Sequence, residues 1–298
     1  MRKFLGLAAA AGIVGLGVFI WASTPQTLDA AILPSHAGDK VNGELLYHVG
    51  GCIACHRPAA TDAGKDPLLP SGGAPLKTPI GTFYPPNLTP DPETGIGSWT
   101  EIQFVNAMQR GVSPDGENLI PAFPYTSYTR MKVEDVLDIR AYLMSLPAVK
   151  AEAKPADLPL AWLVRRGVGV WKRLALQPPI VPDASQSDAW NRGAYLVNGP
   201  GHCAECHTPR NILMIGDGSR AFAGGPHPEG KGKVPSLRDL IGRGVYTDVA
   251  DMASALQEGE MGGYDNMSSG GMGDVQENLA KLPDAEVQAI AEYLSTLK

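Results

Sequence analysis

Apolar residues recur at helical spacing in two long segments of the chain, one near the middle and one at the end. From about 133 to 146 they return every three or four positions, as on one face of an α-helix. The same spacing runs from about 283 to 297, where Pro283 suits a first helical turn. The predicted inward positions are Val136, Ile139, Leu143 and Leu146 in the first helix and Val287, Ile290, Ala291 and Leu294 in the second.

These two helices close the two units of an internal repeat. Tyr142-Leu143 and Tyr293-Leu294 are 151 positions apart, and the segment Gly43–Tyr47 is echoed by Gly193–Leu196. Each of the two echoed segments predicts a further amphipathic helix at the start of its unit. The repeat therefore predicts two domains of one kind, each beginning and ending with a helix.

The N-terminus has an apolar run of another kind. Arg2 and Lys3 precede uncharged residues from Phe4 to Trp21, which as a helix would extend about 27 Å. We predict an uncleaved membrane anchor; a cleaved signal peptide, with a weak site at 29–31, and a buried core helix are the alternatives. The positive-inside rule then places everything after Trp21 outside the bacterial inner membrane, in the periplasm.

Composition agrees with two folded domains. The chain has 298 residues, of which 44% are hydrophobic and 19% charged. Aromatic residues make up only 7%, which suggests that another apolar group fills the centre of each domain. The net charge of −6 argues against a nucleic-acid partner.

All four cysteines lie in the repeat, one pair in each unit. They form the motifs Cys52-Ile53-Ala54-Cys55-His56 and Cys203-Ala204-Glu205-Cys206-His207. This C-x-x-C-H pattern is the attachment signature of c-type haem. On one helical turn the two thiols reach the two vinyl groups of a single porphyrin, and the histidine faces the iron. We therefore predict two covalently attached haem c groups, held by Cys52, Cys55, Cys203 and Cys206, with His56 and His207 as iron ligands.

Three other uses of paired cysteines fit this sequence less well. A structural disulfide does not need the histidine, and a thioredoxin-like redox pair needs a βαβ context that the pattern lacks. A four-cysteine zinc site would close a far longer loop than zinc modules do.

The repeat, its helices and the haem motifs together predict a mainly α protein with two tandem class I cytochrome c-like domains and an N-terminal membrane anchor helix. The predicted bounds are 1–34 for the anchor and linker, 35–150 and 189–298 for the two domains, and 151–188 for the segment between them.

The sixth iron ligands are less evenly indicated. In the second domain the predicted ligand is Met272, on the glycine-rich loop before the last helix. Met267 and Met261 are the alternative ligands. A further alternative is that all three are surface-loop methionines without a role. In the first domain the corresponding position is Phe123, which cannot bind iron. Met131 is the predicted ligand there. The alternatives are Met108, His48 or another group, and an iron without a sixth protein ligand. No iron is expected at His36, His202 or His227.

The segment between the domains carries a basic amphipathic pattern. From about 160 to 174 tryptophan, leucine and valine alternate with arginine and lysine in an otherwise acidic chain. The prediction is a helix that packs across both domains and orients them, with docking onto a membrane surface or a partner subunit as the alternatives. The proline-rich stretch at 177–182 that follows predicts a stiff, extended linker.

Two stretches of the first domain carry a family resemblance. The segment from Thr78 to Trp99 and the segment Pro121–Tyr125 resemble the cytochrome c subunits of bacterial membrane-bound alcohol, gluconate and fructose dehydrogenases, and related di-haem cytochromes of proteobacteria. The resemblance covers essentially residues 36 to 298. It implies a periplasmic, membrane-anchored electron carrier that passes electrons from a dehydrogenase toward quinone, an oxidase or another cytochrome.

The sequence departs from that family pattern in three respects. It has two haem motifs where the sugar and alcohol dehydrogenase subunits have three, and Phe123 stands where many of them have methionine. The second domain has only a faint echo of the segment 87–99, at Val234–Leu237. The expected function is electron transfer with redox partner proteins, namely a dehydrogenase subunit, a cytochrome or an oxidase, and not catalysis. The alternative is a di-haem oxidoreductase whose first haem is open opposite His56 to a small substrate.

Overall fold

The computed structural model describes residues 2–60, 64, 66–78, 81–227, 232–259 and 271–298. Within them helices predominate, as predicted. The longer helices are α1 (Arg2–Ser23), α2 (Lys40–Val49), α6 (Val133–Leu143), α7 (Ala161–Ala175), α8 (Asp188–Asn198), α10 (Val249–Glu258), α11 (Gly271–Leu279) and α12 (Asp284–Ser295). The short ones are α3 (Cys52–His56), α4 (Glu101–Val105), α5 (Tyr125–Tyr128) and α9 (Ala204–His207).

The helix starts follow from capping residues in the sequence. The Asp39 carboxylate accepts from the backbone N–H groups of residues 41 and 42 at the start of α2, and the Ser187 hydroxyl accepts from Trp190 N at the start of α8. Thr100 and Gln103 form a reciprocal capping box at α4. Helix α4 continues into a π-helical turn, Asn106–Arg110, which ends at Gly111.

Two short antiparallel hairpins lie in the loops after the haem motifs. β1 (Leu76–Thr78) pairs with β2 (Gly81–Phe83), with Leu76 opposite Phe83. β3 (Gly225–Pro226) pairs with β4 (Lys233–Val234), with Gly225 opposite Val234.

The repeat is present in the structure as two pairs of crossing helices. α2 packs against α6, and α8 packs against α12. A Cβ added at Gly43 would lie 2.0 Å from the Asp138 carbonyl oxygen, and one added at Gly193 would lie 1.9 Å from the Ala289 carbonyl oxygen. Glycine at these positions therefore lets the first and last helices of each unit touch backbone to backbone. The predicted inward positions are confirmed as buried, except that Leu146 is only partly covered.

One continuous hydrophobic core runs through both units. It contains Leu46 and Val136 from the first unit and Leu196 and Val287 from the second, all of them fully buried. The two repeats therefore bury apolar surface against each other as well as within themselves.

Helix α7 contacts both units of the repeat. The Lys172 ammonium is buried and donates to the carbonyl oxygens of Arg110 and Gly111 in the first unit, at 2.7 and 3.0 Å. Burial, together with the positive charge of Arg110, lowers the pKa of Lys172 to about 8. The preceding residue, Trp171, donates its indole N–H to the Leu213 carbonyl of the second unit. Its contact with both units is the one that the basic amphipathic pattern predicted.

Helix α1 packs its C-terminal end against α7. Within the described part of the chain, no helix combines the length and the apolar character of a membrane span. The N-terminal anchor therefore stays a prediction.

The two crossing points predict the effect of a single methyl group. Gly43→Ala and Gly193→Ala should each lower the free energy of unfolding by about 1–3 kcal/mol, because the new Cβ must push two backbones apart. Thermal unfolding followed by circular dichroism of the holoprotein measures this.

The matched control is Gly167→Ala in the exposed part of α7, where an added Cβ meets nothing within 4 Å. That variant should gain about 0.5–1 kcal/mol from helix propensity. Wild-type stability in both Gly43→Ala and Gly193→Ala would contradict the close crossing.

Candidate haem sites

Each C-x-x-C-H motif forms one helical turn. The first is α3, which begins at Cys52; the second is α9, for which Cys203 is the N-cap residue. The turn places the two thiols of each pair on neighbouring positions, with the histidine following them. Cys52 and Cys203 are partly covered, whereas Cys55 and Cys206 are exposed. The four cysteines, all within the described residues, form no disulfide.

A hydrogen bond to a proline carbonyl orients each motif histidine. His56 Nδ1 lies 2.8 Å from the Pro86 carbonyl oxygen, and His207 Nδ1 lies 2.9 Å from that of Pro235. A carbonyl can only accept, so Nδ1 carries the proton and Nε2 keeps its lone pair for a metal. Burial lowers the pKa of His56 to about 4 and also lowers that of His207, which keeps both rings neutral near pH 7.

A glycine in the left-handed region makes each of these hydrogen bonds possible. Gly72 (φ +73°) donates its N–H to the His56 carbonyl at 2.7 Å, and Gly224 (φ +71°) donates to the His207 carbonyl at 2.8 Å. A Cβ at Gly72 would lie 2.5 Å from the Pro85 carbonyl oxygen, and one at Gly224 would lie 2.6 Å from that of Val234. Each glycine thus lets the proline-containing segment pass directly beside its histidine.

Sequence reasoning missed the proline contact. Val234–Leu237 is only a faint echo of the first domain in sequence, yet Pro235 does for His207 what Pro86 does for His56. The signal that could have shown it is the Pro-x-Leu triplet at 86–88 and again at 235–237, about thirty positions after each histidine.

The residues present fit two haem c groups. Each unit supplies two thiols outside any disulfide and one neutral, oriented imidazole on the same helical turn, which is the donor set that haem c requires. Within the described residues, no cluster of three or more His, Cys, Asp or Glu side chains offers a site for a bare metal ion.

The proposed sixth ligand of the first haem lies in the core. The Met131 side chain is fully buried, and its Cγ lies 3.5 Å from where a Cβ on Gly199 would stand. Its backbone carbonyl accepts from the Gln109 side chain at 2.8 Å. Met131 is therefore held where the first unit meets the end of α8, and its ligand role stays a prediction. The alternative Met108 is also buried, in the π-helical turn.

Phe123 belongs to an aromatic cluster beside the first motif. Its ring packs edge-on against Tyr128 at 5.4 Å and against Tyr125 at 6.3 Å between centroids. Tyr128 in turn packs edge-on against His202 of the second unit, at 5.8 Å.

Met272 lies on a helix and not on a loop. It stands in the first turn of α11 and is partly buried, whereas the sequence predicted a flexible glycine-rich stretch. Helix α11 reaches the first unit, where Asp274 pairs with Arg57 at 2.8 Å and Asn278 contacts His48 at 3.1 Å. The role of Met272 as a ligand stays a prediction. The alternatives Met261 and Met267 lie outside the described residues.

Residues that flank the two haem motifs contact each other directly. His202, which precedes Cys203, places its Nε2 3.2 Å from the carbonyl oxygen of Gly50, two positions before Cys52. The hydroxyls of Thr126 and Ser127 donate to the Glu205 carboxylate inside the second motif, at 2.5 and 3.0 Å. The sequence pattern predicted neither contact, because the His202 contact joins residues about 150 positions apart and the Glu205 contacts join residues nearly 80 apart.

The fold and the two sites define a c-type cytochrome, and similarity to known proteins agrees. The family model for cytochrome c matches residues 41–147. The chain is 40% identical over 295 residues to a diheme cytochrome c-type protein of Cereibacter sphaeroides, covering 99% of this chain and 98% of that protein. The chain belongs to this family of di-haem c-type cytochromes and carries two covalently bound haem c groups.

Larger relatives match this chain over part of their length. It is 33% identical to the fructose dehydrogenase cytochrome subunit of Gluconobacter japonicus, over 100% of this chain and 60% of that subunit. It is 36% identical to the gluconate 2-dehydrogenase cytochrome c subunit of Pantoea cypripedii, over 90% of this chain and 62% of that subunit. The chain thus spans nearly all of the Cereibacter protein but less than two thirds of these dehydrogenase subunits.

The glycine turns predict a change confined to one haem at a time. Gly72→Ala should displace the Pro86 carbonyl from His56, and Gly224→Ala should displace the Pro235 carbonyl from His207. A less basic imidazole stabilises the ferric state less, so the reduction potential of that haem should rise, by roughly 60 mV for each tenfold loss of ferric preference.

Spectroelectrochemical titration of the holoprotein measures both potentials. Gly216→Ala is the control, because a Cβ there makes only an ordinary 3.7 Å contact with Thr208. If both potentials were unchanged in the Gly72 and Gly224 variants at full haem content, the proposed positioning would be wrong.

Proposed function

We propose that the chain transfers electrons between a membrane-bound dehydrogenase, or another respiratory donor, and a downstream acceptor such as a cytochrome or an oxidase. The observation that carries the proposal is the contact between Gly50 and His202, which flank the first and the second motif. Two redox groups attached on either side of this contact would pass an electron within one chain, without a diffusive step between carriers.

The relatives support a dehydrogenase as the donor. Several proteins that match over 86% or more of this chain are named as cytochrome subunits of fructose, gluconate and alcohol dehydrogenases. The particular substrate is not transferred to this chain, because it spans only part of those subunits.

The protein's own groups have separate tasks in this function. When bound, each haem supplies a one-electron couple. The thiols hold it in place, and the neutral imidazoles of His56 and His207 offer Nε2 to the iron. The Pro86 and Pro235 carbonyls keep each ring in one orientation and one tautomer. A fixed ligand geometry favours electron transfer, because little has to move when the iron changes charge.

Carbon monoxide distinguishes this proposal from an oxidoreductase with an open first haem. We expect two haems per chain and no rapid binding of the gas to the dithionite-reduced protein, because Met131 and Met272 would each supply a sixth ligand to one iron. Met272→Ala should open one haem, and Met131→Ala should open the other. A difference spectrum with haem quantified in the same sample measures this.

Phe123, which cannot bind iron, packs against Tyr128 beside the first motif. The first haem is therefore the one that the oxidoreductase alternative leaves open. Rapid binding of carbon monoxide to one haem of the wild-type protein would reject the pure carrier. If Met272→Ala then opened the second haem as well, the open one would be the first, and the oxidoreductase function would take its place.

We propose further that residues 2–23 hold the protein at the periplasmic face of the bacterial inner membrane. The support is the uncharged run that follows Arg2 and Lys3, together with apolar side chains such as Ile13 and Val14 that α1 leaves exposed.

Alkaline carbonate extraction of membranes tests the anchor. The haem-containing chain should stay in the pellet and keep its N-terminus. Recovery of a soluble periplasmic protein whose sequence begins near residue 32 would show instead that the run is a cleaved signal.

A further inference from the structure

Among the described residues, most of the large apolar side chains that stay exposed gather on three segments. These are α1, the outer face of α7 with the residue before it, and a turn at 211–214 in the second domain. Outside α1 the most exposed of them is Ile212, at 97%. Apart from those at positions 4–20 of α1, the others on these segments are Trp21, Leu160, Trp162, Leu163, Leu174, Leu213 and Met214.

The three segments touch one another. Gly169 of α7 lies so close to α1 that a Cβ there would stand 2.3 Å from the Ser23 carbonyl oxygen. The Arg173 guanidinium stacks 4.4 Å from the centre of the Trp21 ring and donates to the carbonyls of Trp21 and Ala22. On the other side, Trp171 donates to the Leu213 carbonyl at 2.8 Å. The exposed side chains therefore belong to one surface.

Helix α7 buries a charged residue together with small apolar ones, Val168 and Ala175, and leaves larger apolar side chains exposed. Its buried face contains the charged Lys172, and Arg165 of the same helix is mostly covered and donates to the Asn118 carbonyl. Its outer face presents Leu163 and Leu174, which are 11 positions apart and so share one side of the helix. A helix facing water would place its charges outward and its leucines inward.

The turn at 211–214 is built to hold its shape. The Asn211 carboxamide oxygen accepts from the N–H groups of Leu213 and Ile215, at 2.9 and 3.2 Å. The Arg210 guanidinium donates to the Met214 carbonyl and, at 2.8 Å, to the carboxylate of Glu205. Because Glu205 lies inside the second haem motif, Arg210 connects the apolar tip of the turn to that motif by hydrogen bonds.

We propose that the outer face of α7 and the turn at 211–214 are seated in the surface of a lipid bilayer, with the second haem domain held against the membrane. The inference rests on the proposed location of the protein at the inner membrane. Three features of this surface favour lipid over a protein partner: continuity with the apolar run of α1, the aromatic residues, and the charge.

The aromatic residues and the charge are those of a bilayer interface. Three of the five tryptophans, Trp21, Trp162 and Trp171, lie on this surface. Helix α7 has four basic residues and no acidic one, in a chain of net charge −6. Lys172 is buried, but Arg166 is exposed and lies beside the apolar face, where a positive charge suits anionic headgroups.

Oxidation of Met214 by hydroxyl radicals tests the proposal on the full-length holoprotein in nanodiscs of phosphatidylcholine and phosphatidylglycerol. Met214 is 61% exposed in the structure, more than Met144, which lies outside the surface. Without lipid over the turn, Met214 should oxidise faster than Met144. With the turn seated in lipid the order should reverse, with Met214 at least severalfold slower.

The variant Leu163→Glu/Leu174→Glu should restore fast oxidation of Met214 while the chain stays in the nanodisc through α1. Val41→Glu is the matched control, because Val41 is also exposed but lies on α2, away from this surface. Two haems per chain in both variants show that they fold. Should the double variant not fold, the wild-type ratio of Met214 to Met144 still decides the proposal.

Other outcomes are distinct from failure of the anchor. Fast oxidation of Met214 in a chain that stays in the nanodisc overturns the seating and leaves the anchor intact. Protection of Met214 in native membranes but not in nanodiscs identifies a protein partner and overturns the lipid proposal. If the chain leaves the nanodisc, the anchor fails. Protection of Met214 by added phosphatidylglycerol vesicles would then uphold the seating by itself, and its absence would overturn it.

Discussion

The orientation of the two motif histidines depends on two hydrogen bonds, each of which joins a histidine to a proline carbonyl on a distant loop. A C-x-x-C-H turn alone fixes the positions of two thiols and one imidazole, but not the direction in which the ring nitrogens point. The bonds from His56 to Pro86 and from His207 to Pro235 settle that direction and the tautomer. They form because Gly72 and Gly224 adopt a left-handed backbone, which lets the segments that contain Pro86 and Pro235 pass at close range.

The contact between the two units joins the repeated domains into one folded unit. The buried clusters of both units merge into one core, and the Tyr195 hydroxyl of the second unit bonds to the Asp135 carboxylate of the first. At the same boundary His202 joins Gly50, so the two motifs are held at a fixed separation. A shared core serves electron transfer because it prevents the two haems from drifting apart.

Helix α7 shows how the same residues serve packing and location. Its basic side chains mostly turn inward: Lys172 satisfies the end of the π-helical turn and Arg173 satisfies the end of α1. Its leucines are left on the outside. The chain thus uses charge to attach this helix to the protein and leaves apolar surface for another neighbour.

Much of the architecture could be derived from sequence because it depends on local regularities. The C-x-x-C-H motifs, the helical spacing around Val136 and Val287, and the repeat offset all involve residues within a few turns of one another or a simple copy. The same reasoning predicted a glycine-rich loop at Met272, where the structure has the start of α11. It could not see that α11 would pack on the first domain, since the contact between Asn278 and His48 joins positions 230 apart.

By itself, then, the sequence determined the helical class, the two haem attachment turns and the identity of their histidines, because covalent chemistry and helix periodicity are local properties. Only the tertiary structure decided which carbonyl orients each histidine, that the residues flanking the two motifs touch, and which face of α7 stays exposed. These features depend on long-range packing, in which a partner is chosen by the shape and burial of the folded chain and not by spacing along it.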